Sequence, residues 1–279
     1  MTATTRRLVN TAVSGVTFVS ALLVVCPLLL IFGFLIYQGL SAINVDFFLH
    51  LPKPVGEPGG GVANAIVGSG IMIGLAVAVG LPVGILGGVY LAESRDLRLP
   101  WVLRFVADVM NGVPSIVFGI FAYTVVVLPM RRFSALAGGV ALGLILIPIV
   151  LRTTEEMVRL VPNALREAGL GLGLPQWKVG LRIVIPAARA GIITGVMVAV
   201  ARIAGETAPL LFTALGNRFW HQGLDQPIAA LPLQIYAYAI APYDDWHRQA
   251  WAGALVLITL VFLASLAARL ATRGRSVAR

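Results

Sequence analysis

Long uncharged runs alternate with short charged interludes along this chain. Residues 8–45 and 58–92 carry no charged side chain, and 109–130, 133–151 and 249–268 repeat the pattern. About twenty apolar residues cross a bilayer as a helix. The runs therefore predict spans at about 16–38, 63–91, 106–130, 133–151 and 249–269. A sixth, at about 190–216, is apolar except for Arg202 and Glu206. The expected architecture is an all-α polytopic membrane protein, one transmembrane domain over 1–279, with a polar loop at 152–189.

Within the spans, glycine and proline mark local structure. Gly70 with Gly74, Gly80 with Gly84 and Gly84 with Gly88 are spaced for close helix packing, with no chemistry assigned to them. Pro114 predicts a kink, because it removes a backbone donor and crowds the carbonyl four residues back. Asn111 and Ser115 are four apart, on one face if the helix continues. They either satisfy the broken ladder or line a polar path. Asp108 suits the dipole at the start of that helix. After Pro148, Arg152 with Glu156 and Glu155 with Arg159 read as pairs on a solvated helical extension.

The fifth span holds the candidate chemistry, in Arg202-Ile203-Ala204-Gly205-Glu206-Thr207-Ala208-Pro209. Each charge costs roughly 2.5–3.5 kcal/mol at a helix centre on insertion scales, so both must face protein or water. They form either a self-satisfied ion pair or an anion site. A guanidinium offers a fork of donors that suits a tetrahedral oxyanion. Glu206 can hold Arg202 when no anion is present, and can accept from a protonated phosphate, which sulfate does not match. Gly205 and Pro209 loosen the backbone beside the pair, as Pro114 does in span three, and all three are candidate gating kinks.

The segment 224–243 is apolar and aromatic but broken by Pro227 and Pro232, so it is expected to lie in the membrane interface. Trp220, Trp246 and Trp251 read as interfacial anchors, and His221 and His247 as surface histidines.

Composition and charge sharpen this picture. The 279 residues are 58% hydrophobic and 12% charged, far below the quarter typical of soluble domains. The net charge of +9 does not point to nucleic acid, because of where it lies. With both termini in the cytoplasm, fifteen Lys and Arg fall in inner segments and five in outer ones. Arg131 and Arg132 are a local exception in a short outer turn. Cys26 is alone, which excludes a disulfide framework. The first apolar run has no small-residue cleavage site and reads as a retained span. The only lysines are Lys53 and Lys178, so the chain has no phosphate-binding loop of its own. No catalytic constellation or metal-ligand cluster is present in the sequence.

The loop 161–186, VPNALREAGLGLGLPQWKVGLRIVIP, predicts two short amphipathic helices with a glycine bend between them. Trp177, Leu181, Val184 and Ile185 form one apolar stripe on the second. On physical grounds this is either a loop resting on lipid headgroups or a helix destined for a partner's groove. Glu167-Ala168, Gly173 six residues after the Glu, and Ile183-Val184-Ile185-Pro186 resemble the EAA loop of ABC-importer permeases. Gly169 stands where that pattern has Ala, and Ile185 where it has Leu. Gly112 to Gly119, Pro148 to Glu156 and Ala201 to Pro209 are similar to permeases of ATP-driven phosphate importers in particular.

The resemblance implies a type I permease fold of six helices in the inner membrane, with cytoplasmic coupling helices. It implies coupling to ATPase subunits through Glu167, Ala168, Gly173, Trp177 and Pro186. It also implies a substrate path past Arg202, Glu206, Thr207, Asn111 and Ser115. The implied partners are a second phosphate permease subunit, two ATPase subunits carrying ATP-Mg, an extracytoplasmic phosphate-binding protein, inorganic phosphate and the bilayer, with no cofactor on this chain. A permease for sulfate or molybdate, or a stand-alone carrier using Glu206 as a proton site, are the alternative readings.

Overall fold

The computed structural model describes residues 2–57, 59–94 and 98–273. Arg95, Arg275 and Arg279, counted above among the inner charges, lie outside the described residues. The architecture is helical: α1 (Ala3–Gly39), α2 (Val45–Leu49), α3 (Ala63–Glu93), α4 (Arg98–Gly112), α5 (Ser115–Met130), α6 (Ala135–Arg159), α7 (Asn163–Gly171), α8 (Gln176–Ala204), α9 (Ala208–Leu211), α10 (Leu231–Ala239) and α11 (Asp244–Arg273). Five of these are long and apolar enough to cross a membrane, and α4 with α5 supplies a sixth if the bent pair counts as one.

The core is the α3–α6 pair. Its close approach is set by glycines on one face of α3: Gly80 lies against Leu146, Gly84 against Val150 and Gly88 against the Leu151 carbonyl. Gly70 and Gly74 face open space. A Cβ at Gly88 would sit 2.5 Å from the Leu151 oxygen and 2.6 Å from Thr154 Cβ, both on a helix that cannot retreat. Overpacking of this kind costs typically 1–3 kcal/mol. Gly88→Val is expected to lower the thermal midpoint of the detergent-purified chain clearly, and Gly74→Val to leave it unchanged. Side chains of α8, among them Ile192, Val196, Ala199 and Ile203, complete this core. The first helix is peripheral and meets α11 through Phe34, edge-on to Trp251 at 5.1 Å.

Three helical elements differ in their bounds from the sequence reading. The third span does not start at 106 as a kinked helix. It breaks by 104° between Gly112 and Ser115. Pro114 (φ −57°, ψ 136°) caps α5 and turns the chain. Asn111 and Ser115 therefore sit on two different helices. Asp108 lies near the C-terminal end of α4, not at a helix start. The fifth span stops at Ala204 instead of running to 216, because Gly205 terminates the helix ahead of Pro209. The second amphipathic helix of the polar loop is not separate: it runs into α8 through a π turn at Gly180–Val184. That wider turn lies just ahead of Pro186, whose ring crowds the preceding turn.

The middle of the segment 224–243 is packed into the protein, while Leu224, Tyr236, Ile240 and Tyr243 are exposed. Ile228, Ala229, Ala230 and Leu231 are buried, and Ser69 Oγ of α3 accepts from the Leu231 N–H at 2.7 Å. Buried Asn64 donates to the Asn217 carbonyl at 2.7 Å, tying the preceding loop to the same helix. Tyr238 stacks on Trp246 at 4.7 Å, so that indole is packed against protein. Burial raises the Tyr238 phenol above its usual pKa, against the lowering effects of its Gln234 hydrogen bond and the Arg218 charge. His221 and His247 are half-buried, and His247 Nε2 lies 2.6 Å from the Ala241 carbonyl.

Candidate functional site

Two sites stand at opposite ends of α8. At its C-terminal end, Arg202 occupies the last turn and Glu206 follows the helix. Arg202 Nε lies 3.8 Å from Glu206 Oε1, beyond hydrogen-bond distance. The Arg202 side chain is 52% exposed and that of Glu206 18%. This loose pair is the only ion pair of Arg202 among the described residues. At that distance Glu206 does not engage the donor fork of the guanidinium, which is open to a ligand.

The helix end is built by three residues. Gly205 carries the cap, Thr207 accepts from the Leu210 N–H at 3.1 Å, and Pro209 opens α9. Pro209 is buried against α5: a Cβ on Gly119 would come within 2.6 Å of Pro209 Cα. This contact carries α5 to the site, one helical turn beyond Ser115. Ser115 is half-buried and Asn111 exposed.

At the N-terminal end lies the region 163–186. Glu167 and Ala168 are exposed on α7, and Trp177 is 63% exposed on the first turn of α8. Pro186 is also exposed. The predicted stripe splits, since Val184 is fully buried while Trp177 and Leu181 are not. Gly173 adopts φ +78° directly after α7. The Leu174 N–H reaches the Gly169 carbonyl and the Gly173 N–H that of Leu170, a glycine-terminated helix end. Gly169 is buried, and a Cβ there would meet Ile183 Cδ1 at 2.6 Å. Glycine in place of alanine lets α7 lie directly on α8.

Arg166 fixes α7 to the membrane helices. Its Nε donates to Glu93 Oε1 at 2.9 Å, at the end of α3. Its two amino groups donate to the Val158 and Val161 carbonyls at the end of α6. The exposed face of α7 is thus mounted on a braced support.

The sequence reading missed the charge cluster above this support. Glu155 is 1% exposed and receives Arg104 Nε at 2.6 Å, Arg152 at 2.6 Å and Arg159 at 2.7 Å. Arg152 also meets Asp108 at 2.9 Å, and Arg104 also donates to the Leu91 carbonyl at 2.7 Å. Of the two expected pairs, Glu155 with Arg159 forms, but around a buried carboxylate, while Arg152 turns to Glu155 and Asp108 and Glu156 stays exposed. Spacing along one helix could not show it, since Arg104 comes from another. Among the described residues no group of His, Cys, Asp or Glu is placed to hold a metal ion.

Comparison with known proteins bears on family and fold. The sequence profile of binding-protein-dependent transport system inner membrane components matches residues 84–277. The chain is 48% identical to the phosphate transport system permease protein PstA of Xylella fastidiosa strain Temecula1, over 95% of this chain and 92% of that one. It is 47% identical to the protein of that name from Yersinia pestis, over 83% of this chain and 79% of the relative. It is 35% identical to PstA 1 of Mycobacterium tuberculosis strain H37Rv, over 97% and 91%. A chain of the inward-facing MetNI methionine ABC transporter superposes with a TM-score of 0.61 at 17% identity, over 76% of this chain and 93% of that one. The fold is accordingly that of ABC-importer permeases.

Proposed function

The chain belongs to the family of binding-protein-dependent transport system inner membrane components, and from that membership we propose that it is the permease subunit of an ATP-driven inorganic phosphate importer. Phosphate is the substrate its PstA relatives are named for. The observation that carries the reading is Arg202, a half-exposed guanidinium loosely held by one carboxylate where a membrane helix ends. Hydrogenphosphate offers acceptor oxygens to Arg202 and one O–H to Glu206. Sulfate has no proton for Glu206 and meets only its repulsion. Binding there must stay modest, since a site that holds its ligand too tightly cannot release it.

In the proposed complex this chain sits beside a second phosphate permease subunit. Two ATPase subunits carrying ATP-Mg bind below the permease pair, one of them on the exposed face of α7, and an extracytoplasmic phosphate-binding protein docks on the opposite side. Both termini are then cytoplasmic. Glu167, Ala168 and Trp177 face the ATPase, while Gly173 and Pro186 shape the mount. Closure of the ATPase pair moves α7 and, through it, the helices around Arg202. Thr207, Asn111 and Ser115 are assigned to the substrate path, and Pro114, Gly205 and Pro209 to its bending points.

The test is uptake of labelled phosphate by proteoliposomes holding the complete complex. Uptake is expected to require ATP and the binding protein, and to be competed by unlabelled phosphate but not by equal sulfate or molybdate. Effective competition by sulfate or molybdate would reassign the substrate. Uptake by this chain alone, driven by a pH gradient, would contradict the reading.

A further inference from the structure

Glu155 is the only carboxylate among the described residues that is fully buried, and three guanidinium groups close on it. Arg152 and Arg159 belong to its own helix, but Arg104 crosses from α4. The same arginine binds the Leu91 carbonyl near the end of α3. The Asp108–Arg152 pair adds a second link between α4 and α6. Leu91, Ala107 and Leu151 pack as a buried cluster beside these charges. The ends of α3 and α6 that carry this cage are also those gripped by Arg166 of α7. From the cage, α4 runs to the sharp turn at Pro114 and into α5. Gly119 of α5 then lies directly against Pro209, three residues after Glu206.

We infer that Glu155 is a positioning residue for transport: it clamps α4 to α6 so that movement of α7 reaches the Arg202 site through α4, the turn at Pro114 and α5. This rests on the reading that α7 receives the ATPase and that Arg202 binds the substrate. Without the charge of Glu155, only the partly exposed Asp108–Arg152 pair and the small Leu91, Ala107 and Leu151 cluster hold α4 to α6, and α4 and α5 follow α6 and α7 too loosely for transfer. Hydrolysis then continues without transfer. Glu155 itself is buried and is the one carboxylate shared by all three guanidinium groups, so losing its charge removes the common centre that holds them together.

The test compares Glu155→Gln with the unmodified chain in the complete, reconstituted complex. Glutamine keeps the shape and one acceptor oxygen. Arg104 retains the Leu91 carbonyl, Arg152 retains Asp108, and Arg159 is half-exposed to water. The expected result is normal assembly, ATP hydrolysis within about twofold of the unmodified rate, and uptake per ATP lowered at least tenfold. A residue serving stability alone would lower hydrolysis and uptake together, which would overturn the proposal, as would uptake per ATP within twofold of normal.

A second arm uses Asp108→Cys with Arg152→Cys, bridged by a short reducible bis-thiol reagent in a chain with Cys26→Ala. Bridging in the Glu155→Gln background is expected to restore uptake per ATP, and reduction to remove it again. Bridging in the chain that keeps Glu155 is expected to leave uptake intact. Arrest there would show that α4 slides on α6 and would overturn the proposal, including in the case that Glu155→Gln does not assemble. Failure of the substrate reading looks different: the unmodified complex would take up no phosphate, and the ratios would then be read with the oxyanion it does carry.

Discussion

Arg202→Ala is expected to reduce phosphate uptake at least 100-fold while the complex still assembles. The size follows from the contacts a guanidinium makes with an oxyanion. Hydrogen bonds involving a charged group contribute about 1.5–3 kcal/mol each, and each 1.4 kcal/mol is tenfold. Two such bonds lost at a transit site leave little flux. Assembly is spared for a geometric reason: Arg202 is half-exposed and its one ion pair is the 3.8 Å approach to Glu206. Exposed pairs of this kind contribute little to stability. Glu206, less exposed, is left near an alanine but keeps access to water. Labelled-phosphate uptake measured beside co-purification of the other subunits checks both halves. Loss of the whole complex would instead assign Arg202 and Glu206 a structural pairing.

Glu167→Lys is expected to lower co-purification of the ATPase subunits at least tenfold, with uptake falling in parallel. Glu167 is exposed on α7, whose attachment is made by Arg166 through Glu93 and the carbonyls of Val158 and Val161. Reversing its charge therefore leaves the mount in place. It places a cation where a partner surface presents complementary charge, and like-charge juxtaposition across an interface costs several kcal/mol. Normal ATPase recovery and uptake would remove Glu167 from the proposed docking face.

Both ends of α8 could be read in the sequence because their signals are local. The loop around Glu167 and Gly173 carries its spacing within twenty-odd residues, and Gly173 does adopt the left-handed backbone that only glycine takes without strain. Arg202 and Glu206 stand out because charge in an apolar run is rare. The break at Pro114 was legible as a bend, but not its size. A 104° turn needs α4 held elsewhere, and Arg104 and Ala107 supply that hold from across the fold. Glu155 was misread for the same reason. Its neighbours at three and four residues look like an ordinary solvated helix, and packing of α3 and α4 against it shuts out water. In the segment 224–243, proline-broken apolar sequence fits exposure to lipid and burial in protein equally well, and residues 228–231 are buried in protein. The hydrogen bond from Leu231 to Ser69, 162 residues away, decides between them.

The most direct measurement is labelled-phosphate uptake in cells carrying Arg202→Lys, with assembly followed in parallel. Lysine keeps the positive charge and removes the planar fork of donors. Direct oxyanion binding by Arg202 predicts uptake reduced at least tenfold with assembly intact. Near-normal uptake would contradict it, since a bare positive charge would then suffice and Arg202 would serve only as the counter-charge of Glu206.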